Sequence, residues 1–305
     1  MISRQLKLIY RNKTLLLMLL PAVTLVIVFS YIPMVGITMA FQQFRYGHGF
    51  FGSPWVGLAN FRFFFRSGHA WTVTRNTFFY NVLFLVVNTT TQIAFAIMIS
   101  ELGSKWFKKI TQTFMFLPNF ISWVVIAAMA HTVLNFETGI LNRILEFFGR
   151  DPINVYGSPG AWPFILTTVN FWRGLGFGMI IYLSAIMGID AELKEAAEAD
   201  GANIWQKIRH ITIPSIVPTI MIVTLLSVGQ IFRGNFAMFY QLIGDNGLLF
   251  DATDIIDTYV FRALRFSPEL GMPAAAGLFQ SVMGFFTIMI TNYLVRRVDK
   301  DYALF

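Results

Sequence analysis

The chain has 305 residues, 56% of them hydrophobic and 13% charged, with a mean hydropathy of +0.61 and a net charge of +7. Soluble domains carry about 25% charged residues, so half that fraction excludes an ordinary soluble domain and points to lipid as the main solvent. The basic residues sit at the ends of apolar runs and form no stripe interleaved with aromatics, which argues against nucleic acid as a partner. The absence of cysteine excludes a thiolate nucleophile, a disulfide framework and a Cys-based zinc site.

Crossing a bilayer takes about 20 apolar residues, and six windows qualify: 14–41, 76–102, 110–134, 161–188, 213–236 and 274–295. The basic start, 1–13, leads into the first window without a small-residue cleavage site, so that window is an uncleaved span. Pro33 lies deep within it and predicts a kink or helix end near Tyr31-Ile32-Pro33. Pro118 sits early in the third window, and Pro214 and Pro218 are expected to open the fifth, where a missing N–H costs little. The long, aromatic loops after the first, third and fifth windows suit amphipathic stretches at a membrane interface. The chain reads as one six-span, all-α membrane domain, 14–295, between the segment 1–13 and a tail, 296–305.

Lys and Arg set the orientation. With the N-terminus inside, the cytoplasmic pieces 1–13, 103–109, 189–212 and 296–305 hold 13 basic residues over about 54 positions, against 8 over about 97 outside. Every Lys falls inside, and all the external basic residues are Arg. The predicted topology is N-in, C-in, which places the loop 189–212 in the cytoplasm.

That loop reads as a small rigid device. Asp190 can cap a helix starting near Ala191, with Glu192 and Glu195 near the positive end of its dipole. Ala196, Ala197 and Ala199 favour helix, and Gly201 can end it in the left-handed conformation. Asn203 can cap a second short helix running to about His210, with Pro214 starting the fifth span. The pattern Glu195-Ala196-Ala197, Asp200-Gly201-Ala202, Ile208, Pro214 resembles the coupling-helix motif of ATP-binding-cassette importer permeases.

The segments Tyr31–Gly36, Gly52–Phe61, Arg75-Asn76-Thr77, Leu117–Trp123 and Asp254–Val260 resemble one branch of that family, which imports polysaccharide-derived oligosaccharides such as alginate and rhamnogalacturonan fragments. Two positions depart from the branch: Asn119 stands where His is common, and Lys194 where Tyr usually precedes Glu-Ala-Ala. The resemblance implies the type I importer permease fold in a bacterial cytoplasmic membrane. Glu195, Ala196, Ala197, Asp200, Gly201, Ile208 and Pro214 would then dock onto a dimer of cytoplasmic ATPase subunits, which carry the ATP and Mg. A second, different permease and an extracytoplasmic sugar-binding protein would complete the machine. This chain has no phosphate loop of the form GxxxxGK[ST] and no cofactor of its own, so it is not expected to be an enzyme.

Polar residues inside spans usually face a cavity or a partner. Asn88 and Gln92 fall in the second span, Asn170, Trp172 and Arg173 in the fourth, Gln230, Arg233 and Asn235 in the fifth, and Gln280 and Ser281 in the sixth. In a related maltose permease the sugar site lies on the fourth and fifth of these spans. That correspondence carries to Gly174, Phe177, Phe232 and Asn235. The candidate substrate-lining set is therefore Trp172, Arg173, Gly174, Phe177, Gln230, Phe232, Arg233 and Asn235. The competing account has the two arginines snorkelling to headgroups and the glycines letting helices pack closely. An acidic sugar would favour the arginines as ligands. The acids Asp251, Asp254 and Asp257 are expected to cap helices or meet a binding protein. The four histidines have no metal-ligand spacing. A permease of the same fold for another small solute is the nearest alternative. A secondary transporter would need coupling carboxylates within the spans, and a membrane enzyme a catalytic cluster; the sequence offers neither.

Overall fold

The computed structural model describes residues 11–66, 68–267, 269–298 and 303. Arg4, Lys7 and Lys300, counted above for orientation, lie outside them. Among the described residues the chain is helical, with one isolated β-bridge, between Gln42 and Trp55. Five helices are long and apolar enough to span a membrane: Lys13–Phe41, His69–Ser100, Pro159–Met187, Ile204–Val228 and Gly271–Arg297. The predicted third span is instead a pair, Lys105–Phe120 and Trp123–Leu134, bent by 95° at residues 121–122.

The helices His69–Ser100 and Trp162–Met187 form the central pair. They run parallel, since Asn88 meets Asn170 and Gln92 meets the Gly174 carbonyl at the same sequence offset of 82. The bent pair therefore carries the chain back from one end of the bundle to the other. At one end Tyr80, Phe84, Trp162 and Leu166 pack with Met238, Phe239 and Leu242. At the other, Ala96, Ile97 and Ile99 pack with Met179, Tyr182, Leu183, Ile186 and Ile216. Lipid is as apolar as these side chains, so the pairing rests on close fit and hydrogen bonds. The glycines serve that fit. A Cβ on Gly176 would lie 2.1 Å from the Met115 carbonyl oxygen, and one on Gly178 2.1 Å from the Gln92 amide.

The first helix is different. From Lys13 to Tyr31 it buries no residue in this chain, and only near Ala40 does it join the fold. Asn60 holds that junction, its amide donating to the carbonyls of Ala40 and Gln42 at 3.0 Å each. Ser53 closes the intervening loop by accepting from the Arg45 N–H and donating to the Gly49 carbonyl. These bonds account for the Gly52–Phe61 segment.

Two prolines are accommodated by the same device. Immediately before Ile32-Pro33 and before Ile213-Pro214 the helix widens into a π-turn, over Ile27–Tyr31 and Ile208–Thr212. The Ile32 N–H reaches back to the Ile27 carbonyl, and the Ile213 N–H to that of Ile208. The wider turn moves the carbonyls that a proline ring would strike and that its missing N–H would leave unpaired. The predicted disturbance at Pro33 is present as this π-turn followed by a 3-10 stretch, Ile32–Phe41. The predicted separate helix from Asn203 to His210 is not. It continues through the π-turn into the span, so Pro214 and Pro218 lie within one helix, Ile204–Val228.

Pro118 marks the sharpest break. There the helix tightens into a 3-10 turn, Leu117–Phe120, and stops, leaving carbonyls with no helical partner. Arg173 answers them: its Nε donates to the Ile121 carbonyl and its Nη2 to that of Asn119, both at 3.2 Å. Its guanidinium carbon also sits 4.5 Å from the centroid of the Trp123 ring. A planar fork suits this task, and a lysine ammonium cannot reproduce it. Because residue 119 is used through its backbone, Asn serves there as well as His. We expect Arg173→Lys to lose about 1–3 kcal/mol of stability, read as a lowered Tm of the purified complex. A parent-like Tm would show that the break does not depend on the fork.

Candidate functional site

One face of the helix His69–Ser100 carries Asn81, Phe84, Leu85, Asn88, Thr89 and Gln92. Their spacing of three and four residues puts all six on a single stripe. That stripe, with Asn170 and Ile181 from the parallel helix, Val223, Leu226 and Ser227 from Ile204–Val228 and Gln230 just beyond it, lines an open cavity of about 610 Å³. Arg233, Gly234 and Asn235 complete the wall. The lining is rich in carboxamides and hydroxyls, and Arg233 is its one charged side chain. Asn88 donates to the Asn170 side-chain oxygen at 2.8 Å, while its own oxygen is buried with no partner among the described residues. Gln92 donates to the Gly174 carbonyl at 3.2 Å. Such a wall donates and accepts hydrogen bonds in several directions, as a hydroxyl-rich ligand requires.

The predicted fifth span, 213–236, is not one helix. The helix Ile213–Val228 ends, residues 229–235 form an irregular break, and a new helix, Phe236–Ile243, begins. Asn235 caps the new helix by accepting from the Met238 N–H at 3.2 Å. The break is what turns Gln230, Arg233 and Asn235 toward the cavity. On its other side lies a smaller cavity of about 400 Å³, lined by Phe232, Asp257, Gln280, Ser281 and Phe285 among others and sharing Gln230 and Arg233 with the first. Burial pushes the Asp257 carboxyl up from the ordinary range, against hydrogen bonds from Gly234 and Gln280 and the nearby Arg233 that pull it down.

The predicted substrate-lining residues thus separate. Gln230, Arg233 and Asn235 share the main cavity, and Phe232 lines the smaller one while facing Phe78 at 5.9 Å. Gly174 lines neither cavity, and its carbonyl accepts from the Gln92 amide. Trp172 lies in an apolar groove with Ile126, Met129 and Phe164, and Phe177 stacks on Phe116 at 6.3 Å. Arg173 is engaged at the helix break through Nε and Nη2 and lines neither cavity. Sequence reasoning missed Asn81, Thr89 and Ser227; the three-and-four spacing of polar residues from 81 to 92 was the available signal.

At the far end of the bundle the loop 189–212 forms a stiff knob. Asp190 caps the helix Ala191–Ala199, accepting from the Glu192 N–H at 3.0 Å. Gly201, at φ 79°, ends it. There the Ala202 N–H returns to the Ala197 carbonyl and the Gly201 N–H to that of Glu198, a Schellman turn. Asn203 and Gln206 form a reciprocal capping box at the start of the next limb, and Lys207 pairs with Glu198 at 2.6 Å across the two. Glu195, Ala196 and Asp200 are exposed, Ala197 is half-buried, and Ile208 packs against the core at that end. Pro214 sits in the helix beyond the π-turn. Leu193, Ile204 and Trp205 are exposed apolar side chains on the same knob that sequence reasoning did not single out.

Comparison with known proteins fits this geometry. Residues 89–300 match the family described as binding-protein-dependent transport system inner membrane component. The chain is 32% identical over 291 residues to the polygalacturonan/rhamnogalacturonan transport system permease protein YteP of Bacillus subtilis, covering 95% of this chain and 90% of that protein. It is 29% identical to protein LplB of the same organism, with 95% and 91% covered. A chain in the crystal structure of a bacterial ABC transporter involved in the import of the acidic polysaccharide alginate superposes with a TM-score of 0.88 at 34% identity, covering 97% of this chain and 99% of that one. With a helical bundle, an open cavity carrying carboxamides along its side and a capped knob at one end, this chain belongs to the binding-protein-dependent transport inner-membrane family, the permeases of ABC transporters.

Proposed function

We propose that the chain forms half of the translocation pathway of an ATP-driven, binding-protein-dependent importer of oligosaccharides. The observation that carries this reading is the cavity of about 610 Å³ in which carboxamides, hydroxyls and a single guanidinium alternate with Phe84, Leu85, Ile181, Val223 and Leu226, polar groups for hydroxyls beside apolar faces for a sugar ring. Its volume falls within the range of small-molecule sites, about 300–1,000 Å³. The opening that it leaves is closed by a second, different permease. The knob docks on a dimer of ATPase subunits, where ATP and Mg bind. An extracytoplasmic binding protein delivers the sugar, and the cavity opens to each side in turn. The chain sits N-in and C-in, with the bent pair as its third crossing. Alginate, the cargo of the neighbouring transporter, is acidic, and Arg233 makes a carboxylated sugar the favoured cargo here, since guanidinium binds carboxylate in bidentate fashion.

Two measurements test this. Thermal unfolding of the assembled complex is followed with galacturonate, mannuronate and malto-trisaccharides. An acidic trisaccharide at about a hundred times its Kd adds about 2.7 kcal/mol of stability. Arg233→Gln weakens that binding about tenfold or more and leaves the neutral sugar within about threefold. Protection by maltotriose alone overturns the acidic assignment, and protection by none of the three overturns the sugar reading.

For coupling, Glu195→Lys reverses a charge on the exposed face of the knob, and Gly201→Asp forces a β-carbon into left-handed backbone at a cost of about 1–2 kcal/mol. Each is expected to release the ATPase subunits on size-exclusion chromatography and to abolish ATP-dependent uptake. Uptake that survives removal of every ATPase subunit would reject an ATP-driven machine.

A further inference from the structure

The segment Asp254–Val260 has no part in the reading above, yet two of its side chains, Ile255 and Asp257, reach the break that shapes the cavity. Asp257 starts a helix, Ile256–Phe266, that lies across the end of the bundle away from the knob. Its Oδ2 turns inward and accepts from the Gly234 N–H at 2.8 Å and from the Gln280 amide at 2.9 Å. The same Gln280 nitrogen donates to the Phe232 carbonyl at 2.7 Å. One carboxylate and one carboxamide therefore hold two backbone groups of the irregular segment 229–235. The fit is tight: a Cβ on Gly234 would lie 2.3 Å from Ile255 Cδ1 and 2.8 Å from that Oδ2.

The helix carrying Asp257 is itself fixed to the central pair. The Ile256 N–H donates to Thr77 Oγ1 at 2.9 Å, and Asn76 donates to the carbonyls of Asp251 and Asp254 at 3.1 Å each. Thr258 donates to Asp254 Oδ1 at 2.6 Å, and Arg262 pairs with the other oxygen of the same carboxylate. Ile255 and Ile256 are wholly buried, in two different core clusters. A rigid plate thus presents one carboxylate to the one irregular stretch of the cavity wall. Besides standing in the first turn of its own helix, as its sequence position suggested, Asp257 bonds inward to the break.

We propose that Asp257 and Gln280 form a latch that positions the cavity wall, tying residues 229–235 to the outer helix and to the last helix of the bundle. Asp257 is a positioning residue: it sets where Gln230, Arg233 and Asn235 stand and itself binds no cargo. A shift of the outer helix would reach the cavity through this carboxylate. The inference rests on the cavity being the cargo path, but its test uses no cargo, so the two can fail separately.

Amide hydrogen exchange of the assembled complex, read by mass spectrometry on a peptide spanning 229–240, reports the Gly234 N–H directly. Asp257→Leu, which keeps volume but removes the acceptor, is expected to speed exchange about tenfold or more. Asp257→Asn keeps an acceptor and is expected to stay within about threefold of the parent. Gln280→Ala loosens the same peptide. The double variant Asp257→Leu/Gln280→Ala is no more than about twofold beyond the larger single effect, because both residues belong to one latch. The knob peptide 191–202 keeps its parental exchange throughout. Parental exchange at 229–240 in Asp257→Leu, equal effects of Leu and Asn, additive single variants, or faster exchange at the knob as well would each overturn the latch.

Discussion

Hydrocarbon offers a backbone amide nothing to bind, so wherever a helix stops within the bundle the freed groups must find partners in the protein. That constraint orders the whole structure, because this chain interrupts its helices at three depths. At residues 27–33 and 208–214 the interruption is mild, and a π-turn redirects the hydrogen bonds. At 117–123 it is complete, and Arg173 supplies two donors. At 229–235 a carboxylate receives the exposed N–H and a carboxamide serves the exposed carbonyl. The last two repairs use polar side chains from neighbouring helices, so they also fix how those helices stand against one another.

The cavity is a consequence of the same economy. An unbroken helix through 229–235 would keep Gln230 and Arg233 on one face but turn Asn235 to the opposite one, since 3.6 residues make a turn. The break gathers them on one wall, opposite a stripe of amides that a regular helix can present by spacing alone. One side of the site is therefore stiff and periodic, and the other is irregular and held by named bonds. A ligand that must be taken up and then released needs such a wall, and irregular backbone within a membrane is tolerated where it lines a cavity.

Much of this was legible from the residues. The apolar windows located the long helices, and the knob appeared in the sequence almost as built: Asp190, Gly201 and Asn203 each perform the capping role their chemistry suggests. Caps are local, decided within a few residues, and so can be read one at a time. The places where the reading needed correction are all non-local. Arg173 is a candidate ligand because a charge inside a span usually faces cargo, and its sequence position gives no sign of a further role at the helix break. Nothing near it in the chain reveals that its partners are carbonyls 52 and 54 residues away. The fifth window looked continuous because apolar composition registers length but not a missing hydrogen bond. Nothing near Asp257 in the chain reveals that its carboxylate accepts from Gly234, 23 residues earlier.

The knob and the break at 229–235 differ in a way that suits force transmission. The knob is held by bonds within 24 residues of chain, 189–212, so it can move as one body without losing any of them. It is also continuous with the wall. Its second limb runs without a chain break through the π-turn and Pro214 to Val228, one residue before the break begins. A displacement of the knob thus reaches the cavity along a single helix of 25 residues, Ile204–Val228. At the far end of that helix the next residues are anchored to a different body, the outer helix and the last helix. Movement along the rod must then be absorbed in residues 229–235, where no regular helix resists it and where the cavity side chains are mounted. Under the proposed coupling, deformation would fall on the segment that mounts Gln230, Arg233 and Asn235.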